Sequence, residues 1–232
     1  MLEDGGEDRV LYETLRRVGS VVGRALYRPR IEGLEHIPDT GPVILASNHL
    51  SFCDSVVIPL AVRRRVRFLA KAEYFEGTGL RGRLSEATFA SLGAVPVRRG
   101  TGREALDALD LGLRVLKDGE VFAIYPEGTR SRDGRLYRGR TGVAHLALTS
   151  GAPVVPVALA GTREIQPIGA RLPRVRPITI RFGAPLDFST GYGHLKPGRA
   201  RRVITDEVMA AIHALSGQEQ AGEYNNHGGG DA

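Results

Sequence analysis

The chain has 232 residues, 42% hydrophobic and 25% charged, with a net charge of +6. These values fit a globular protein with a sizeable core, in one large domain or two small ones, and exclude a fibrous or low-complexity chain. The longest apolar runs, Val56 to Val62 and Val154 to Ala160, are seven residues long, against about 20 needed for a membrane-spanning helix.

In chain order, residues 8–27 read as an amphipathic helix. Leu11, Leu15, Val18, Val22 and Leu26 recur at gaps of three and four, with Arg9, Arg16, Arg17 and Arg24 between them. The stripe is aliphatic and lacks tryptophan, so the expectation is that it packs on the domain. A basic amphipathic helix lying in a membrane interface is the alternative. Strands are expected at 42–47, 66–70, 93–97, 120–125, 153–159 and 177–182, and helices at 50–62, 80–90, 103–116, 140–149 and 199–214. This alternation predicts an α/β fold with a mixed, largely parallel sheet flanked by helices. The last helix carries Ile204, Val208, Ala211, Ile212 and Leu215 on one face. The polar stretch from Ser216 onward, with Gly228, Gly229 and Gly230, reads as disordered. The expected organisation is an N-terminal helical segment 1–29, a main domain 30–215 and a disordered tail 216–232.

A single cysteine, Cys53, excludes an internal disulfide, and the N-terminal stretch lacks the apolar core of a signal peptide. The excess of basic charge favours anionic partners. Of 32 basic residues, only Lys71, Lys117 and Lys196 are lysines, leaving 29 arginines; their forked guanidinium suits phosphate and carboxylate, and genome composition explains the same bias at least as well. Nucleic acid is a poor fit: aromatics are 6%, tryptophan is absent and the basic residues are dispersed. The histidines outside the first motif below show no metal-ligand spacing, so no metal is expected.

Two runs carry chemistry. Asn48-His49-Leu50-Ser51-Phe52-Cys53-Asp54 follows the apolar run Val43 to Ala46, and Tyr125-Pro126-Glu127-Gly128-Thr129-Arg130-Ser131 follows Val121 to Ile124. In parallel α/β sheets sites form beyond the carboxyl ends of the strands, where both runs fall. An imidazole accepts a proton from a hydroxyl near neutral pH when a carboxylate fixes its tautomer, which makes His49 and Asp54 a candidate base and partner. Five residues along an ideal helix turn through about 500°, leaving the two side chains about 140° apart. His49 is therefore expected in the turn before the helix, with Asp54 in or near its first turn. Read alone, the spacing favours the plainer reading, in which Asn48 or Ser51 caps the helix and Asp54 sits at its positive end. In the second run, Gly128 permits close backbone approach and Arg130 can grip a phosphate with two hydrogen bonds. A third element, Gly93-Ala94-Val95-Pro96-Val97-Arg98-Arg99, is a strand ending in arginines.

Together these motifs resemble the glycerolipid acyltransferase family over roughly residues 30–185. Asn48, His49 and Asp54 match its Asn-His-x-x-x-x-Asp block. Gly93 and Arg98 match its second block. Pro126 to Ser131 match its Phe-Pro-Glu-Gly-Thr-Arg-Ser block with Tyr125 in place of Phe. Val155-Pro156-Val157 matches its fourth block, and Ile31 to Pro38 its opening segment. One departure follows the third block, where many members carry Phe-Lys-x-Gly. Here Leu136-Tyr137-Arg138-Gly139-Arg140 offers arginine at either of two alignments. The absence of an N-terminal membrane span is another.

The resemblance implies acyl transfer from acyl-CoA or acyl-carrier protein to the sn-2 hydroxyl of 1-acyl-glycerol-3-phosphate, with His49 as general base and Asp54 as its partner. It implies that Arg98, Glu127, Gly128, Thr129 and Arg130 serve the substrate phosphate, with no metal or bound cofactor. Glycerol-3-phosphate, another lysophospholipid, a lyso-glycolipid or an amino-lipid is the alternative acceptor. The expected setting is cytoplasmic, peripherally attached to the inner face of the cell membrane. Candidate contact surfaces are the N-terminal helix, Arg63 to Arg65 with Arg67, and Tyr74 to Phe89 with Arg81 and Arg83. Cys53 inside the first block reads as a small apolar residue rather than a nucleophile.

Overall fold

A computed structural model describes residues 6–71, 93–97, 102–167 and 174–226. Among the described residues seven strands form one sheet: β1 (Arg30–Glu32), β2 (Val43–Ser47), β3 (Val66–Lys71), β4 (Ala94–Val97), β5 (Val121–Ile124), β6 (Val154–Ala160) and β7 (Thr179–Phe182). Their order is β1-β7-β6-β2-β5-β3-β4. Only the β6–β7 pair is antiparallel; the rest run parallel. The sheet is thus mixed and mostly parallel, as the alternating pattern predicts.

The central strands are apolar throughout because both their faces are covered. In β2, Val43 and Leu45 join Ile58, Ala61, Val66, Phe68, Val155 and Val157 on one side of the sheet. Ile44 and Ala46 join Val115, Leu116, Leu146, Ile204, Val208 and Ile212 on the other. The first face is covered by α1 (Gly6–Tyr27) and α2 (Asp54–Ala61). The second is covered by α3 (Arg103–Lys117), α4 (Gly142–Ser150) and α6 (Pro197–Ser216), with the short α5 (Thr162–Ile165) following β6. The expected helix 80–90 lies outside the described residues, as do Tyr74 to Phe89. Strand β1 and helix α5 are too short to show as periodic runs in the sequence.

Two expectations need correction. Helix α1 docks on α2, but not by its aliphatic stripe. Ser20 Oγ donates to the Leu60 carbonyl (2.7 Å), and Gly19 lies against the Leu60 side chain. Val18, Val21, Val22 and Leu26 are instead 49 to 69% exposed; the side chains of Leu11 and Leu15 lie outside the described residues. Small residues let the two helices approach closely, which turns the larger ones outward. The second correction is the tail. Residues 217–226 do not form a loose end. Gly217 adopts φ 64° and turns the chain back. The Leu136 N–H donates to the Glu219 carbonyl (2.8 Å), the Ala221 N–H to Leu136 (2.9 Å) and the Arg138 N–H to Glu223 (2.8 Å), and Asn225 is buried. Main-chain bonds of this kind need no apolar side chains, so a polar composition does not forbid them.

Candidate active site

The site forms where two neighbouring strands end. Parallel register pairs Ala46 of β2 with Ile124 of β5. Three residues beyond each stand His49 and Glu127, so equal offsets bring them level. The His49 N–H donates to Glu127 Oε1 (3.0 Å) and the Tyr137 N–H to Glu127 Oε2 (3.0 Å). The Ser131 N–H donates to the His49 carbonyl (2.7 Å). The two motifs are therefore hydrogen-bonded through their backbones.

His49 lies in the loop before α2, and Asp54 opens that helix, which shortens the expected 50–62 helix at its start. His49 Nδ1 and Asp54 Oδ2 are 2.9 Å apart, and both residues are buried. The same oxygen accepts the N–H groups of Leu50 (2.6 Å) and Ser51 (2.8 Å). Oδ2 thus presents only lone pairs, so Nδ1 carries the hydrogen and Nε2 is the basic nitrogen. Asp54 Oδ1 is buried with no hydrogen-bond partner among the described residues, so all three bonds of the carboxylate converge on Oδ2. The His49 ring stacks on Tyr125, with centroids 3.8 Å apart and planes 9° from parallel. The Tyr125 hydroxyl, absent from a Phe at this position, shares a 3.1 Å hydrogen bond with Ser55 on α2. Stacking and hydrogen bond fix the ring from the side that Asp54 does not hold.

Glu127, expected at the substrate phosphate, has its side chain turned inward. It is fully buried, and each of its oxygens accepts a backbone N–H. Burial pushes its pKa up from 4.5 to about 7, against the opposing pull of the two N–H bonds. It braces the His49 and Tyr137 backbones instead of facing solvent. The sequence reading missed this because the direction of the side chain depends on strand register.

Gly128, Thr129 and Arg130 are exposed or half-buried. Gly128 has φ +82°, and a Cβ there would sit 3.0 Å from Arg140 Nε. Of the two arginines that align with the family lysine, Arg140 is the one that lies against this loop. The Arg140 N–H donates to the Pro126 carbonyl (2.8 Å). Arg138 and Arg140 stand 5.1 and 5.7 Å from the centre of the Tyr224 ring. Arg98 lies outside the described residues, as do Arg81 and Arg83; Gly93, of the same block as Arg98, is buried beside β3. The Cys53 thiol is half-buried, and burial raises its pKa, which disfavours the thiolate that a nucleophile requires. Asn48, just before His49, crosses to β6. Its Oδ1 accepts the Leu159 N–H (2.8 Å) and its Nδ2 donates to the Leu159 carbonyl (3.0 Å).

Comparison with known proteins places the chain in a family. The chain is 34% identical over 145 residues to the chloroplastic 1-acyl-sn-glycerol-3-phosphate acyltransferase of Brassica napus, covering 62% of this chain and 40% of that protein. It is 35% identical over 145 residues to the corresponding chloroplastic protein of Arabidopsis thaliana, covering 62% of this chain and 39% of the relative. The chain thus spans less than half the length of these two curated relatives. The crystal structure of the 1-acyl-sn-glycerophosphate acyltransferase PlsC from Thermotoga maritima superposes with a TM-score of 0.67 at 24% identity, covering 92% of this chain and 84% of that one; this likeness shows a shared fold. The Acyltransferase family model matches residues 28–160, more than half of the sequence, and the chain belongs to that family.

Proposed function

We propose that the protein transfers a fatty acyl group from a thioester, acyl-CoA or acyl-carrier protein, to the sn-2 hydroxyl of 1-acyl-sn-glycerol-3-phosphate, giving phosphatidic acid. The observation that carries this reading is the buried His49–Asp54 pair, 2.9 Å apart, standing level with the Glu127–Ser131 loop. His49 Nε2 takes the hydroxyl proton while the oxygen bonds to the thioester carbon. As the C–S bond breaks, the imidazolium returns that proton to the departing sulfur. Asp54 stabilises the imidazolium and holds its tautomer. No acyl-enzyme is needed, and the raised pKa of Cys53 agrees with direct transfer.

Arg130 and Thr129 hold the acceptor phosphate, with Arg98 as a second clamp and Arg140 beside Gly128 extending the cationic surface. Holding the hydroxyl against the thioester supplies several kcal/mol of barrier reduction by orientation alone. Because the acceptor is amphiphilic, the enzyme works from a membrane surface, as a peripheral protein on the cytoplasmic side. No helix among the described residues is long and apolar enough to cross a membrane. The outward Val18, Val21, Val22 and Leu26 of α1, flanked by exposed Arg17 and Arg24, form the surface best suited to insertion among anionic headgroups.

The test is thiol release from oleoyl-CoA, and from acyl-carrier protein, on addition of lysophosphatidate, with His49→Ala in parallel. Acceptor-dependent release that the variant loses supports the reading. Release that persists in the variant removes His49 as base. A silent wild type with both donors, but turnover with another lysolipid, moves the assignment to a different acceptor of the same family.

A further inference from the structure

Asn48 has one N–H left after its two bonds to Leu159, and gives it to Gln218. Asn48 Nδ2 donates to Gln218 Oε1 (2.7 Å), and Gln218 Nε2 donates to the Gly134 carbonyl (2.7 Å). One amide therefore joins the residue before His49 to the turn that follows Arg130. That turn is itself tightly knotted. Ser131 Oγ donates to Asp133 (3.1 Å) and accepts the Gly134 N–H (3.1 Å), and the Tyr137 hydroxyl donates to Asp133 (3.0 Å). These bonds connect Gly134 to Ser131 and, through the Ser131 N–H, to the His49 carbonyl. A second tie from the same segment is the Asn225 Nδ2 bond to the Arg130 carbonyl (3.0 Å).

We propose that residues 217–226 are a strap belonging to the active site, and that Gln218 is a positioning residue that sets the Arg130 turn against His49. The position demands one acceptor and one donor on a single planar group, which glutamine supplies at neutral pH and glutamate does not. The kinetic readout below rests on the proposed acyl transfer; the exchange readout does not.

The experiment compares wild type, Gln218→Ala and Gln218→Glu in the full chain. Three quantities are measured: thiol release with oleoyl-CoA and lysophosphatidate, hydrogen–deuterium exchange by mass spectrometry, and the pH dependence of kcat/KM. For Gln218→Ala we expect kcat/KM for the acceptor to fall on the order of 10-fold, through loss of two hydrogen bonds that hold the turn. Donor KM stays unchanged, whereas a general loosening of the fold would move both. Amide exchange over 131–136 quickens while that of α6 does not. For Gln218→Glu, activity relative to wild type at the same pH rises as pH falls, because a protonated carboxyl again donates to the Gly134 carbonyl. The Gln218→Ala ratio stays flat. Acceptor kcat/KM within twofold of wild type together with unchanged exchange over 131–136 overturns the proposal. If Gln218→Ala does not fold, a pH-independent Gln218→Glu ratio overturns it instead. A wild type that releases no thiol from oleoyl-CoA with lysophosphatidate moves the assignment to another donor or acceptor, and the exchange data then decide for or against the strap.

Discussion

Replacing Glu127 by glutamine tests whether this residue is a brace or a ligand. The carboxylate accepts two backbone N–H groups, from His49 in the first motif and from Tyr137 beyond the second, and is fully buried. Glutamine has the same shape but only one acceptor. Its amide nitrogen meets either the His49 or the Tyr137 N–H donor to donor, leaving a buried N–H unpaired at about 1–3 kcal/mol. For a chain of this size that is about 2–12 °C in Tm. The pH dependence adds a second signature. Below pH 4.5 the carboxyl is protonated in both folded and unfolded chains. Between 4.5 and about 7 the unfolded chain has lost the proton and the folded one keeps it, so stability falls as pH rises; above 7 both are ionised and the loss is complete. The gap between 4.5 and about 7 corresponds to about 3 kcal/mol.

Glutamine does not titrate, so the Glu127→Gln protein lacks this contribution. Urea unfolding at pH 5, 6, 7 and 8 should show wild type ahead by the largest margin at pH 5 and by less at pH 8. A margin that widens with pH would show that the two N–H bonds outweigh burial. Equal stability throughout, with acceptor KM raised and kcat retained, would refute the brace and return Glu127 to the phosphate.

Two further outcomes follow from the same geometry. Asp54→Asn removes the charge that stabilises the imidazolium while leaving an oxygen for the Leu50 and Ser51 N–H groups, so steady-state thiol release should fall in kcat/KM by about 10²–10⁴-fold; a loss below 10-fold would mean that His49 does not act as a base through Asp54. Val21→Asp with Val22→Asp on α1 should abolish co-flotation with vesicles containing anionic lipid at low salt without lowering Tm, since both side chains face outward; flotation that survives the pair places the membrane contact elsewhere.

The fold was legible because the strands of a parallel sheet are apolar on both faces and the helices between them carry one-sided stripes. Both motifs follow such runs, which sufficed to put them at one end of the sheet. What the sequence did not disclose depends on register and on the main chain. Glu127 reads as a surface anion-loop residue until Ala46 is paired with Ile124, which turns its carboxylate inward toward the His49 N–H. The periodicity of α1 establishes a helix but not which side faces α2, and Gly19 and Ser20 win the contact because they allow closer approach. Residues 217–226 look unstructured by composition, yet they bond mostly to backbone carbonyls and amides. Ser47, Asn48, His49, Ser51, Asp54, Glu127 and Ser131 are all buried. Of these, His49, Asp54, Glu127 and Ser131 bond to one another or to backbone groups of the two loops, and Asn48 bonds to β6. Such a polar core orients the imidazole but offers little to a diffusing anion. On the proposed reading, phosphate recognition among the described residues belongs to the rim, Gly128 to Arg130 with Arg138 and Arg140, which is exposed or half-buried beside the buried His49.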